Sequence, residues 1–364
     1  MSGVSVSAVF VFPQPVSEGV GVRVVASRGW CVDPVFSPDG GFVAYSSNAS
    51  GGFDVWLVDV GGRGCVRVTC LEGDERGPQF SPDGRWIAFV HEYEGVVDLF
   101  VFDRVGLGVV RLTEDGAPKG RFEWSPRGGL LVYDVFQGGG WGVWVTDVAG
   151  GFRWRVCGGE GFDPSWSGDG RFVVCVGREA ENYTLQIIDF YTGESRRIYS
   201  AKAPIRYPSF SASNDRVFFL MNTTSGWSIY ALQMLEGYAE NLFVNPVRQY
   251  AGIFWDPIVD PEVRYVVRRD QPIILFAGYS TKSSANLFTL HLDVELDLKE
   301  RNMPAIKGTK IERIDETTCN KILGLSLSYD NSKVIYSWLA EGQYYLTILE
   351  LKKVERGASP YERS

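Results

Sequence analysis

The chain has 364 residues, and about 45% of them are apolar, which is ample for a large core. Its net charge of −8 argues against a nucleic-acid surface, because such a surface needs clustered Lys and Arg. No apolar run approaches the roughly 20 residues that cross a bilayer, so we expect no membrane span. Six cysteines lie scattered without a C-x-x-C pair, so we expect no metal and no other cofactor.

The N-terminal segment predicts strands and no leader peptide. Val4–Phe12 is apolar, but no Lys or Arg precedes it and Ser interrupts it, unlike a secretory signal. We therefore expect a cytoplasmic protein, and a monomer.

A four-residue turn recurs along the chain and sets its organisation. The first five copies begin 44, 44, 42 and 44 residues apart, the length of one four-stranded propeller blade. Ser accepts a backbone hydrogen bond, Pro fixes φ, and Gly tolerates the positive φ of the last position. Asn replaces Gly in the later copies, because Asn also tolerates positive φ. The copies are Ser37–Gly40, Ser81–Gly84, Ser125–Gly128, Ser167–Gly170, Ser211–Asn214 and Ser328–Asn331.

Short apolar strands surround each turn, and no segment has a sustained helical period. The sequence therefore predicts an all-β fold: one β-propeller of about seven four-stranded blades, spanning residues 1–364. Residues 29–351 form the repeats and residues 352–364 a charged tail. The sixth unit is irregular, because Asp256-Pro257 resembles the entry to its first strand, whereas Arg269–Gln271, before Pro272–Tyr279, aligns as well with the turn. Its third strand is expected at Asn286–Asp293, followed by an insertion over Val294–Lys310.

The last unit lacks a clear fourth strand after Leu351, whereas the N-terminus has a spare one. Val22–Ala26 lies just before the first strand of unit one, where fourth strands occur. We expect residues 1–28 to supply closing strands, with Val22–Ala26 completing the last blade. Closing the ring removes the exposed sheet edges of an open array.

The repeat resembles the TolB-type, WD-like propeller repeat. The residues that carry the resemblance are Asp33–Gly40, then Phe42–Tyr45 and Asp54–Asp59. The same repeat builds the propellers of prolyl oligopeptidase, dipeptidyl-peptidase IV (its N-terminal region) and tricorn protease. The resemblance implies a propeller that binds a protein partner, as in TolB, or gates a hydrolase domain, as in the peptidases. That domain needs a G-x-S-x-G elbow followed by Asp and His, and no such elbow occurs here.

The candidate binding residues lie where the repeat is expected to surround the central channel. Four residues before each turn Ser the chain varies, and convergent polar groups in a concave site are the default binding hypothesis. Asp before Pro also starts turns, so a structural explanation of these positions stays open. The predicted binding residues are Asp33, Arg121, Asp163, Tyr207 and Asp256, with Trp30, Phe122 and Trp255 as nearby aromatic contacts.

Other polar positions are interpreted as structural. His91 lies in an acidic loop, and Glu72, Asp74 and Glu75 form a charged loop before unit two. The sequence predicts no catalytic residue, so the leading hypothesis is a non-catalytic module that binds a protein or peptide at the channel mouth. Two alternatives stay open: an enzyme of lyase, lactonase or hydrolase type with its site in the channel, and a stand-alone propeller gating a separate peptidase.

Overall fold

The computed structural model contains strands joined by turns, without any helix in the described ranges. None of these ranges therefore supplies an apolar helix able to cross a membrane. The described residues are 22–26, 29–61, 64–211, 213–214, 216–223, 226–233, 248–249, 258–259, 266–267, 273–281, 284–295, 305–313, 321–340 and 342–351.

The strands are short and follow each other closely along the chain. Those of the first part are β1 (Val22–Ala26), β2 (Cys31–Phe36), β3 (Phe42–Ser47), β4 (Asp54–Asp59), β5 (Cys65–Arg67), β6 (Asp74–Phe80), β7 (Trp86–Tyr93), β8 (Val96–Asp103), β9 (Gly108–Arg111), β10 (Lys119–Trp124), β11 (Leu130–Gln137), β12 (Gly140–Asp147), β13 (Arg153–Arg155) and β14 (Gly161–Trp166). The others are β15 (Phe172–Glu179), β16 (Asn182–Asp189), β17 (Ser195–Ala201), β18 (Ile205–Phe210), β19 (Arg216–Thr223), β20 (Gly226–Gln233), β21 (Arg248–Gln249), β22 (Ile258–Val259), β23 (Val266–Val267), β24 (Ile273–Thr281), β25 (Ser284–Glu295), β26 (Ala305–Arg313), β27 (Lys321–Leu327), β28 (Lys333–Ala340) and β29 (Gln343–Glu350).

Among the described residues these strands form seven antiparallel sheets. Sheets 1 to 5 are β2–β5, β6–β9, β10–β13, β14–β17 and β18–β21, each in simple sequential order. Sheet 6 (β22–β26) has five strands, and sheet 7 has the order β27-β28-β29-β1. The sheets therefore have the architecture of a β-propeller, and the predicted all-β propeller fold is confirmed.

Each sheet has two ends, which are used as names below. The turns between first and second strands lie at one end, here called the turn face. The hairpins between second and third strands, and the connections from one sheet to the next, lie at the other, here called the loop face. On the turn face, Arg127 of sheet 3 donates from Nε to the Asp169 carbonyl of sheet 4 at 2.7 Å, so neighbouring turns are in contact.

The recurring turn has the predicted hydrogen bonds. In the first copy the Phe42 amide donates to Ser37 Oγ at 2.9 Å, and the Gly40 amide donates to the Ser37 carbonyl at 2.8 Å. Asn214 and Asn331, which replace the last Gly, have φ of 58° and 57°. The predicted reason for Asn at these two positions is confirmed.

The apolar core lies between the sheets. Alternate residues of a strand point to opposite faces, so each strand serves two interfaces. In β3, Val43 and Tyr45 pack with Ile335 of sheet 7, whereas Ala44 packs with Phe89 of sheet 2. Similar clusters join sheets 2 and 3, sheets 3 and 4, and sheets 4 and 5. A strand buried on both faces reads as a continuous apolar run, which is why these strands show little alternation.

The predicted insertion over Val294–Lys310 is wrong in part, because strands of sheet 6 extend into it. β25 contains the predicted third strand Asn286–Asp293, but it extends to Glu295, and β26 begins at Ala305. Much of Val294–Lys310 is therefore strand, because the two strands pair beyond the usual blade length. Val4–Phe12 lies outside the described residues.

The interface between sheets 1 and 2 buries an unusual carboxyl group. Glu75 is fully buried, and neither of its carboxyl oxygens has a hydrogen-bond partner. Burial, together with repulsion from Asp54, raises the pKa of Glu75 to about 8. At the equivalent position of the next interface, Lys119 donates to Asp115 Oδ1 at 2.5 Å and lies 3.5 Å from Asp98. The repeated geometry thus places a lysine against Asp98 in one interface and an acid against Asp54 in the other, where Asp54 is paired with Arg67 of its own sheet at 2.6 Å.

We predict that Glu75→Gln stabilises the protein at pH 8 and has little effect near pH 4. The folded pKa exceeds the ordinary value of 4.5. The folded state therefore keeps a proton that the unfolded chain loses, and stability falls as the pH rises from about 4.5 to about 8. Gln removes this loss, so the gain in unfolding free energy at pH 8 should be about 1–3 kcal/mol. Urea unfolding at pH 4, 6 and 8 measures it, and parallel pH profiles for both proteins would contradict it.

Candidate functional site

The first strands carry a β-bulge close to the predicted binding positions. In sheets 1, 4 and 5 the pairing shifts beside Asp33, Asp163 and Tyr207, which have φ of 52°, 51° and 52°. Gly77 has the same place in sheet 2 with φ of 64°. A left-handed φ favours Gly, Asn or Asp over other residues. The positive φ thus explains why Asp or Gly occupies this position in sheets 1, 2 and 4. It does not explain Tyr207, because Tyr rarely adopts this backbone conformation.

Arg121 bridges three sheets at the loop-face side of the first strands. The bulge of sheet 3 falls at Gly120 and Arg121, one residue earlier than in the other sheets. Arg121 Nη1 donates to the Pro208 carbonyl of sheet 5 at 3.4 Å, and Nη2 donates to Glu123 Oε2 at 3.1 Å. Glu123 Oε1 in turn accepts from Ser165 Oγ of sheet 4 at 3.3 Å. The guanidinium group therefore links the first strands of sheets 3 and 5 across sheet 4.

Asp163 organises the same region from sheet 4. Its side chain is 4% exposed, and Oδ2 accepts from Arg206 Nε at 2.6 Å and from the Tyr207 backbone N–H at 3.1 Å. The Arg206 guanidinium also lies over the Tyr207 ring, 4.7 Å from its centroid. Burial of an ion pair is tolerated when further hydrogen bonds satisfy the carboxylate, as here. Asp163 thus fixes the positions of Arg206 and Tyr207.

Asp134 lies beneath these residues, on β11. Its side chain is buried, and Oδ2 accepts from the Asp163 backbone N–H at 2.7 Å. Burial, and repulsion from Asp163, raise the pKa of Asp134 to about 7. Its other oxygen, Oδ1, has no hydrogen-bond partner. Ser46 of sheet 1 has the equivalent place and accepts from the Gly77 amide at 3.1 Å, so this position receives the bulge N–H of the next sheet.

The structure brings three of the predicted residues together. Arg121, Asp163 and Tyr207 join three residues that the sequence analysis did not select. The six residues Arg121, Glu123, Asp134, Asp163, Arg206 and Tyr207 are called the polar cluster below.

The predicted aromatic residues take different places. Trp30 is 48% exposed and stacks on Tyr344 of sheet 7 with ring centroids 5.0 Å apart, away from the polar cluster's contacts. Phe122 is 4% exposed and packs in the core between sheets 2 and 3. It is therefore a packing residue in this structure and presents no surface to a ligand. Trp255 and Asp256 lie outside the described residues.

The polar cluster exposes hydrogen-bonding groups of both charges, whereas its two aspartate carboxyl groups are buried. Arg206 and Glu123 have side chains 42% and 28% exposed, whereas the carboxyls of Asp134 and Asp163 lie below the surface. In the parts of the chain that the structure describes, no three His, Cys, Asp or Glu side chains converge as a metal site would require. His91 contacts the buried Glu75, with Nε2 3.7 Å from Oε1, and lies in the interface between sheets 1 and 2. The exposed groups suit recognition of a polar ligand.

Comparison with known proteins agrees with this architecture. The sequence matches the model of the TolB beta propeller domain family over residues 17–249, well over half of the chain. The chain belongs to the TolB β-propeller family. No curated protein matches the sequence.

Several solved structures are similar to this TolB-family chain at low sequence identity. TolB from Acinetobacter baumannii is 23% identical, with a TM-score of 0.46. The match covers 57% of this chain and 53% of TolB, so this chain spans about half of TolB's length. An oligogalacturonate lyase in complex with manganese is 14% identical over 95% of this chain and 97% of its own, with a TM-score of 0.65. A puromycin-hydrolyzing peptidase of Mycobacterium tuberculosis is 12% identical over 88% of this chain and 51% of its own, also at 0.65.

We predict that Gly120→Ala destabilises this protein through the Asp134 carboxyl. A Cβ at position 120 would clash with Asp134, whereas one at Gly151 would have no heavy atom within 4 Å. The unfolding free energy should fall by about 1–3 kcal/mol for Gly120→Ala and change by less than about 0.5 kcal/mol for Gly151→Ala. Urea unfolding measures both.

A second substitution separates this clash from a general loss of backbone freedom. Asp134→Ser gives position 134 the residue found at its equivalent in sheet 1, and it should restore part of the stability lost in Gly120→Ala. The interpretation is wrong if Gly120→Ala matches Gly151→Ala, or if the double variant is no more stable than Gly120→Ala alone.

Proposed function

We propose that this TolB-family chain is a non-catalytic binding module whose loop face binds a protein or peptide partner. The observation that carries the proposal is the polar cluster. In it the partly exposed side chains of Arg206, Glu123 and Tyr207 lie on the first strands of sheets 3 and 5. Arg, Tyr and Trp are the residue types that most often dominate binding energy at protein interfaces. Trp30, stacked on Tyr344, adds an exposed aromatic surface on the same face.

The rigidity of the polar cluster supports this role. Asp163 and Glu123 hold the two guanidinium groups by hydrogen bonds, so few rotamers are lost when a partner binds. Less ordering on binding leaves more of the contact energy as affinity. A guanidinium and a carboxylate side by side can pair with a carboxylate and an ammonium of a peptide. A partner of mixed charge therefore suits the site better than a polyanion.

We also propose that the seven sheets are the blades of one closed ring, with β1 as the closing strand. Val24 of β1 pairs with Thr347 of β29, and Ile335, Leu346 and Ile348 of sheet 7 pack with the core of sheet 1. Gly324 of sheet 7 lies so close to sheet 1 that a Cβ there would be 2.7 Å from Pro34 Cδ. A closed ring would hold the loop face as one rigid surface. The monomeric state and the cytoplasmic location stay predictions.

An enzyme with its site in the channel is a second candidate, and Asp134 is the observation that favours it. A carboxyl group with a pKa near 7 suits a general acid or base at neutral pH. However, Asp134 is only 2% exposed, so a substrate would have to displace Gly120 to reach it. A lyase and a peptidase have similar folds, so the channel enzyme stays a second proposal. A propeller that gates a separate peptidase stays a third.

We predict that the protein binds its partner more weakly when two aromatic side chains of the loop face are removed. In Trp30→Ser/Tyr207→Gly the glycine suits the left-handed φ at position 207, so the fold should persist. The matched control is Tyr191→Ser/Tyr329→Ser, since these side chains are 60% and 63% exposed on the turn face. A protein captured by the wild-type chain is identified, purified and titrated by calorimetry against all three proteins.

The affinity should fall at least about tenfold for the loop-face variant and stay unchanged for the control. Equal urea midpoints of the three proteins show that folding is intact. Unchanged affinity of the loop-face variant, or a loss confined to the turn-face control, would contradict the proposal.

A further inference from the structure

A cavity of about 340 Å³ opens in the β11–β12 hairpin of sheet 3, outside the polar cluster. Its size falls within the range of about 300–1,000 Å³ that small-molecule sites occupy. The hairpin lies on the loop face, and the connection from β13 to β14 forms another wall. The lining includes Trp141, Trp144, Arg155, Glu160 and Gln137.

Glycine makes this cavity. Gln137 pairs with Gly140, and Val135 pairs with Gly142, so these positions share one face of the hairpin. Because neither glycine has a side chain, a depression remains between Val135 and the neighbouring strand. A Cβ at Gly142 would lie 3.2 Å from Trp144 Nε1 and 3.6 Å from Arg155 Nε, so a larger residue would fill the space between those groups.

One indole ring, that of Trp144, lies on the same face of the hairpin as the depression. Trp141 pairs with Phe136 on the other face of the hairpin, where the two rings pack with centroids 5.6 Å apart. The Trp144 ring is packed beneath the Arg153 guanidinium, which lies 5.3 Å from its centroid. Arg155 uses Nη2 to bind the Gly159 carbonyl at 3.1 Å, and this contact holds its guanidinium beside the cavity. The site thus combines fixed aromatic surface with donors and acceptors.

We propose that this cavity binds a neutral saccharide of one or two pyranose rings. A sugar ring presents C–H groups on its faces and hydroxyl groups at its rim, and it needs aromatic surface and polar groups together. Trp144 supplies the aromatic surface, and Arg155, Glu160 and Gln137 supply donors and acceptors for adjacent hydroxyls. Arg155 and Glu160 carry opposite charges, so the lining has no net charge and favours a neutral ligand over an acidic sugar. This site goes beyond the proposed protein-binding role.

Ligand-observed saturation-transfer NMR with maltose, cellobiose and lactose tests the proposal, with digalacturonate as the acidic comparison. At least one neutral disaccharide should receive saturation from the wild-type protein, and its affinity is then measured by titration calorimetry. Trp144→Ala should weaken binding at least about tenfold, and Gly142→Leu should abolish it by filling the cavity. Gly151→Ala, on the turn face of the same sheet, should bind as the wild type.

Three results would overturn the proposal: no transfer to any of the neutral disaccharides, transfer to digalacturonate alone, or transfer that survives in Gly142→Leu. Circular dichroism and urea midpoints of each variant establish that the sheet has folded. Capture of the protein partner by Gly142→Leu should be unchanged, so failure here is distinguishable from failure of the loop-face proposal.

Discussion

The packing of neighbouring sheets against each other is the constraint on which the rest of the structure depends. A sheet with apolar side chains on both faces cannot bury them by itself, so it needs a neighbour on each side. Here alternate side chains of one strand enter two different cores, as Tyr45 and Ala44 of β3 do. The stability of sheet 1 therefore depends on both of its neighbours, as expected for a repeat protein. The loops at the ends of the sheets are held in register as a result.

Burying a charged group between two sheets costs free energy, and the cost depends on which hydrogen bonds and ion pairs the group makes. Lys119 is almost fully buried but donates to two carboxyl groups and to two backbone carbonyls. Glu75, at the equivalent place, has a neighbouring acid instead, and its raised pKa reflects the missing partner. The polar cluster lies between these cases, because Asp163 is satisfied whereas one oxygen of Asp134 is not. Departures from good local satisfaction often mark functional sites, which is why the polar cluster is the candidate site here.

Much of the fold was predictable from the sequence, because the turn has strict local requirements. Ser37, Pro38, Asp39 and Gly40 each have a role that depends only on near neighbours, so the repeat is visible without tertiary information. Asn331 was predicted to have positive φ for the same reason, and it does. Sheet 6 was harder, because its strands extend past the length that the other units suggest.

The candidate site was predictable only in part, because its hydrogen bonds cross between sheets. Arg121, Asp163 and Tyr207 were found by their position before the turn. Asp134 was missed, although one acid in the apolar run Leu130–Val135 was a visible signal. Its role depends on which backbone N–H of the next sheet it meets, and sequence spacing does not give that. Phe122 was misplaced for a related reason: the bulge of sheet 3 falls one residue early, which pairs Phe122 with Tyr133 in the core.

Amide hydrogen exchange, read by mass spectrometry on the unmodified chain, tests the mutual dependence of the sheets most directly. In a closed ring, Val22–Ala26 and Gln343–Glu350 should exchange as slowly as Leu130–Gln137 in sheet 3, because every sheet has two neighbours. Fast exchange of Val22–Ala26 together with fraying of sheets 1 and 7 would contradict the account. That result would mean an open array of sheets with two free edges.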